Sequence, residues 1–209
     1  MEESTLYKED TSETIKGLIL FPPFKTAYNI TSFKTLGALI LTSILAIVVS
    51  GCSDMKLKDF ADKKPELKIE EYFLGKTSAS GLFIDRLGKV RRQFTVDMEG
   101  IQEGDLFILN ETFLYDDGEE EFRRWEIKKT GDKSYEGRSS DIKGIALGER
   151  SGNALNWHYT LKLKTKDGIM LVKFDDWLIQ QDEKNVFNKA AMKKFGFRLG
   201  DVYLFFKKE

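Results

Sequence analysis

Val90-Arg91-Arg92-Gln93-Phe94-Thr95-Val96-Asp97-Met98 alternates without a break, with Val90, Arg92, Phe94, Val96 and Met98 on one side and charged or polar residues on the other. A period of two belongs to a strand with one face buried, because successive side chains of a pleated backbone point to opposite faces. The pattern recurs in both directions. Phe107, Leu109, Glu111, Phe113 and Tyr115 share a face, as do Trp125 and Ile127. Leu155, Trp157, Tyr159, Leu161 and Leu163 oppose Asn156, His158, Thr160, Lys162 and Lys164; Met170, Val172, Phe174 and Asp176 follow, and Val202, Leu204 and Phe206 close the chain. Turn chemistry separates these runs at Gly100–Gly104, Asp116-Asp117-Gly118, Thr130-Gly131-Asp132, Gly152-Asn153 and Lys166-Asp167-Gly168. Asn188–Phe195 carries a helix-forming Lys189-Ala190-Ala191-Met192, but its neighbours argue for a strand. The expectation is an all-β domain, an antiparallel up-and-down barrel of about eight to ten strands.

Composition narrows the chemistry. The chain has 209 residues, 33 Lys+Arg against 34 Asp+Glu, one Cys and one His. Near-neutrality gives no pull toward nucleic acid, and no nucleic-acid partner is expected. A single Cys excludes an intrachain disulfide and a Cys-rich zinc site, and a single His excludes a multi-histidine metal centre. We expect no metal and no cofactor.

The longest uncharged run lies near the start. Leu36–Ser50 (LGALILTSILAIVVS) is fifteen residues long, short of the roughly 20 that span a bilayer as a helix but suited to the core of a secretory signal. It ends at Val49-Ser50-Gly51-Cys52, which resembles the lipobox of bacterial lipoproteins: an aliphatic residue, two small residues and Cys. The resemblance implies a thioether-linked diacylglyceryl group on Cys52, cleavage between Gly51 and Cys52, and acylation of the new amine. Two or three acyl chains anchor firmly, at about 0.8 kcal/mol per buried methylene. Ser53 rather than Asp after Cys52 implies the periplasmic face of the outer membrane, with the inner membrane as the alternative. Glu2, Glu3, Glu9, Asp10 and Glu13 do not suit a basic signal start, so initiation is expected nearer Lys25 or Lys34. Residues 1–51 are therefore read as leader, 52–66 as the lipidated Cys and a tether, and 67–209 as the barrel domain.

Polar residues on apolar faces are the candidate site. If the turn after Met98 pairs Glu99 with Gly104, Arg92 opposes Glu111; if the next hairpin pairs Tyr115 with Glu121, Trp125 also opposes Glu111. Arg92, Glu111 and Trp125 then form one inward cluster, with Asp176 as a fourth member. Inside an apolar cavity such a cluster orients the polar head of a ligand, and in a filled core it only fixes strand register. His158 sits on a polar face and reads as solvated. Asp175 and Asp176 point to opposite faces, Gly144, Gly148 and Gly152 lack the strand–helix context of a phosphate loop, and Arg123 and Arg124 are too isolated for a nucleic-acid surface. No catalytic residue emerges.

A set of short motifs runs through residues 52–209: Phe73-x-Gly75, Gly81-x-Phe83-x-Asp85-Arg86-x-Gly88, Glu111-x-Phe113-x-Tyr115-x-Asp117-Gly118, Arg124-Trp125 and Tyr135-x-Gly137. Asp141-Ile142-x-Gly144-x-Ala146-x-Gly148, Gly152-Asn153-Ala154, Asp175-Asp176-Trp177 and Phe195-Gly196 continue it. In this order they resemble an uncharacterised lipoprotein family of Gram-negative bacteria, a domain of unknown function. The resemblance implies an outer-membrane lipoprotein without an assigned activity. Size, location and strand pattern together point to a lipocalin-like barrel. Three functions follow in order of preference. The first is a membrane-anchored barrel that binds a lipid or other apolar small molecule; the second is a structural or assembly lipoprotein acting through its surface; the third is an envelope enzyme.

Overall fold

The computed structural model describes residues 55–165 and 168–209. Ten antiparallel strands follow one another: β1 Gly75–Asp85, β2 Val90–Glu103, β3 Leu106–Tyr115, β4 Glu120–Lys129, β5 Ser134–Arg138, β6 Ala146–Ser151, β7 Ala154–Thr165, β8 Gly168–Gln180, β9 Asn185–Lys194 and β10 Phe197–Lys208. Each pairs with its neighbours in sequence, and β1 pairs with β10 from Thr77↔Lys208 to Asp85↔Gly200, closing an up-and-down barrel. Closure leaves no free sheet edge at that seam. Asn188–Phe195 falls largely in β9, where Val186, Asn188, Ala190 and Met192 are the buried positions; period-two burial overrides the helical propensity of the alanines.

The inward faces are those that the alternation marks. Val96, Met98, Phe107, Leu109, Phe113, Leu155, Leu178 and Phe206 build the main core, and Leu161, Val172, Phe174, Ala190 and Met192 a second cluster. The β2–β3 register differs from the expectation. The turn lies at Gly104-Asp105, so Glu103 pairs with Leu106, Met98 with Glu111 and Phe94 with Tyr115. Gly100 is not a turn residue; a Cβ there would lie 1.9 Å from the carbonyl oxygen of Phe73, so the glycine admits a neighbouring backbone. In β3–β4, Glu111 pairs with Arg123 and Leu109 with Trp125. Both differences are an even number of residues. The faces survive and the neighbours change.

One end of the barrel is stoppered. Leu67 is fully buried, and the short helix α1, Ile69–Tyr72, is followed by Phe73, whose ring meets Phe206 edge-on at 5.3 Å between centroids. Tyr72 donates to the Lys184 carbonyl at 2.8 Å, and Tyr135 donates to Glu70 at 2.9 Å, pinning α1 across the strand ends. Before it, a 3-10 turn at Leu57–Phe60 runs outside the barrel, with Phe60 against Trp177 at 5.9 Å. The opposite end carries the hairpins β1–β2, β3–β4, β7–β8 and β9–β10 and forms a mouth.

The wall near the mouth is thin on one side. β5 pairs with β4 only from Glu126 to Lys129, leaving Glu120–Trp125 beyond its reach. Residues 139–145 bridge this gap: Ile142 pairs with Leu161 of β7, Lys143 N–H donates to the Thr160 carbonyl at 2.8 Å, and Lys162 N–H donates to the Asp141 carbonyl at 2.7 Å. No described helix is long and apolar enough to cross a membrane. Gly51 and Cys52, and the Lys166-Asp167 turn, lie outside the described residues.

Candidate functional site

The barrel encloses a cavity of about 790 Å³ open toward the mouth. Its floor is Ile69 and Phe73, and its walls include Phe94, Leu109, Phe113, Trp125, Trp157 and Phe174. Two aromatic groups dominate. On one side Trp125 stacks near Trp157 at 6.4 Å and meets Tyr159 edge-on at 5.7 Å, while Tyr159 stacks on Phe174 at 5.0 Å. On the other, Phe94 contacts Phe113 at 5.9 Å and Tyr115 at 5.5 Å. The indoles need room behind them. A Cβ at Gly148 would lie 2.9 Å from the Trp157 ring, and one at Gly137 would lie 3.3 Å from Trp125. The glycines of the Tyr135-x-Gly137 and Gly144-x-Ala146-x-Gly148 motifs thus seat the aromatic wall.

A polar cluster interrupts this lining. Arg123 of β4 donates from Nε to Asp141 Oδ2 at 2.8 Å and stands 3.7 Å from Glu111 Oε2. Asp176 of β8 accepts from the Tyr159 hydroxyl at 3.0 Å and from Asn188 Nδ2. Burial raises the Glu111 carboxyl to about 7, against the pull of the Arg123 guanidinium and the Trp125 indole N–H, which favour its ionised form. Burial likewise raises Asp176 to about 6, opposed by its bonds from Asn188 and Tyr159. Burial opposes the charge on Arg123, yet Glu111 and Asp141 hold its pKa above the ordinary value. Tyr159 is raised by burial and by Asp176. Two atoms stand out: Glu111 Oε2 and Asp141 Oδ1 are buried and accept no hydrogen bond from the protein. Buried acceptors are rarely left so, because the lost hydration is uncompensated.

The four expected site residues are thus distributed over two levels. All four line the same cavity, and Glu111, Trp125 and Asp176 act on one another electrically. Arg92 does not pair with Glu111. The β2–β3 register carries it to the mouth, where it bonds Asp117 at 3.0 Å and Glu119, with its guanidinium 3.6 Å over the Tyr115 ring. The true partner of Glu111 is Arg123, and sequence reasoning passed over it. The signal was present: Arg123 lies two residues before Trp125 and four before Ile127, on their inward face. Asp141 had no such signal, since it reaches the site from a loop. His158 points outward, largely exposed, and lies 3.9 Å from Asp175, which also accepts from Asn156 and Trp177 on that outer face. Among the described residues no group of three or more His, Cys, Asp or Glu side chains is placed to hold a metal ion.

Solved structures place this geometry in a known architecture. The S-type phycobiliprotein lyase of Guillardia theta superposes with a TM-score of 0.51 over 75% of this chain and 99% of its own, at 7% sequence identity. At that identity the likeness is one of fold: the closed lipocalin-like barrel is shared. No curated protein matches the sequence. A family model matches residues 46–208, which spans the barrel, both polar levels and the glycines behind the indoles. The chain belongs to the family described as protein of unknown function DUF3833.

Proposed function

We propose that the chain is a lipid-anchored binding protein whose barrel holds a lipid or another elongated apolar small molecule. The observation that carries this reading is the open, aromatic-walled cavity of about 790 Å³ with a buried polar cluster in its wall. Drug-sized and lipid-sized ligands occupy pockets of about 300–1,000 Å³ in which a few polar groups fix orientation. Here the rings of Trp125, Tyr159 and Phe174 supply the apolar contact. Glu111 and Asp141, each with an oxygen lacking a donor, supply acceptors for a hydroxyl or N–H on the ligand head. The polar groups are few within a largely aromatic wall, and we assign the cluster to orienting a ligand. A filled core, as a purely structural lipoprotein would have, leaves this cavity unexplained.

Anchoring is the second half of the proposal. The Val49-Ser50-Gly51-Cys52 lipobox supports lipidation at Cys52 and attachment to the periplasmic face of the outer membrane. Titration of the chain with an environment-sensitive acyl probe tests the cavity: saturable binding, competed by an unlabelled fatty acid and weakened by filling the cavity, is expected. Binding that is non-saturable, or that cavity filling leaves intact, contradicts it. Blocking lipoprotein signal peptidase should make the precursor accumulate; unchanged processing refutes the anchor and leaves the cavity reading standing.

A further inference from the structure

The most exposed large apolar side chains of the described residues are Phe195 at 89%, Phe197 at 72%, Leu87 at 71% and Ile169 at 68%. All four lie on three consecutive hairpins of the mouth, β7–β8, β9–β10 and β1–β2. The last two are direct neighbours, since Arg86 N–H donates to the Leu199 carbonyl at 2.9 Å. The backbone at Phe195 is itself unusual. It has φ 51°, and Gly196 follows at φ 83°, so the hairpin turns through two left-handed residues. Asn or Gly takes the first position without strain, whereas a bulky aromatic residue is an outlier there. A strained and solvent-facing Phe buries little against the barrel, and such outliers cluster at sites of function.

Charge accompanies the apolar tips. Arg86, Lys89 and Arg91 flank Leu87, and Lys193, Lys194 and Arg198 flank Phe195 and Phe197. The acids on these two hairpins are already engaged, Asp85 by Arg91 and Asp201 by Arg198. The β3–β4 hairpin carries the opposite sign, with Asp116, Asp117, Glu119, Glu120 and Glu121. We propose that the β9–β10 and β1–β2 hairpins, with Ile169 of β8 beside them, dock on an anionic bilayer surface. In that pose Phe195, Phe197 and Leu87 sit below the headgroups and Arg86, Lys89 and Lys194 meet the phosphates. Aromatic residues combined with Lys and Arg are the composition of interfacial membrane anchors, whereas protein–protein contact cores are depleted in Lys. Ile169 belongs both to the rim and to the cavity lining, so docking sets the cavity mouth against the membrane. The inference stands on the rim and does not require the proposed ligand.

Depth-resolved quenching tests it on the full chain in vesicles of phosphatidylethanolamine, brominated phosphatidylcholine and phosphatidylglycerol. Phe195→Trp and Leu87→Trp each add a reporter at the mouth, and Leu106→Trp adds one at the stoppered end. Fluorescence is read as the difference from the parent chain with its three tryptophans. The two mouth reporters should lose about twofold or more of their added emission to the brominated lipid, and the Leu106→Trp reporter should lose none. Emission at both mouth positions that bromination leaves unchanged overturns the proposal, whether the rim then meets a protein or only solvent. Equal quenching at the two ends overturns it too, since the N-terminal anchor alone then accounts for the contact.

Discussion

Replacing Glu111 by Gln removes the most strongly shifted carboxyl of the cavity while keeping its shape. Burial raises this carboxyl from 4.5 to about 7, so the folded chain holds the proton more tightly than the unfolded one. A raised acid contributes stability that is complete below the unfolded pKa and lost as pH climbs through the folded pKa. For Glu111 that window is pH 4.5 to about 7, and the loss across it is about 3 kcal/mol. Asp176, raised from 3.8 to about 6, adds a loss in the lower window of pH 3.8 to about 6. The parent chain should therefore weaken steadily from pH 4.5 to about 7, and Glu111→Gln should weaken distinctly less across that window. Urea unfolding followed by tryptophan fluorescence at half-unit pH steps reads this directly. With slopes of about 1–3 kcal/mol per molar urea, the difference amounts to a midpoint divergence of about 1–3 M. Parallel pH profiles for the two proteins would refute the claim that burial raises the Glu111 carboxyl.

Arg123→Met strips Glu111 and Asp141 of their shared cation and should destabilise the chain by about 3–5 kcal/mol at neutral pH, read by urea unfolding, with partial recovery in acid. Gly100→Ala places a Cβ 1.9 Å from the Phe73 carbonyl oxygen and should cost at least about 2 kcal/mol, with faster amide exchange in α1 and the β2–β3 turn. Phe195→Asn relieves the left-handed strain at φ 51° and should raise stability by about 1 kcal/mol in thermal unfolding.

The fold was legible because alternation fixes faces and faces fix closure. Met98, Leu109, Trp125, Phe174 and Leu204 were all assigned inward on period alone, and all line the core or the cavity. Register was less legible. Gly100 and Gly104 both resemble turn residues, and only packing against Phe73 distinguishes the one that stays in the strand. A turn misplaced by an even number of residues moves every cross-strand neighbour without moving any face, so Arg92 was matched with Glu111 and Arg123 was missed. Asp141 opens the Asp141-Ile142-x-Gly144-x-Ala146-x-Gly148 motif, but nothing in the sequence places it beside Glu111 and Arg123. It arrives from a loop that fills the gap left by two short strands, and no local pattern encodes that distance.

The central claim, that the barrel encloses a ligand, is tested most directly by native mass spectrometry of the full chain after mild extraction from its membrane. The account predicts a constant non-covalent adduct of lipid mass that dissociates on collisional activation. Ala190→Phe, which fills the cavity opposite Asp176, should lose it. Recovery of the parent chain without any adduct, or an adduct that Ala190→Phe leaves untouched, would contradict the account.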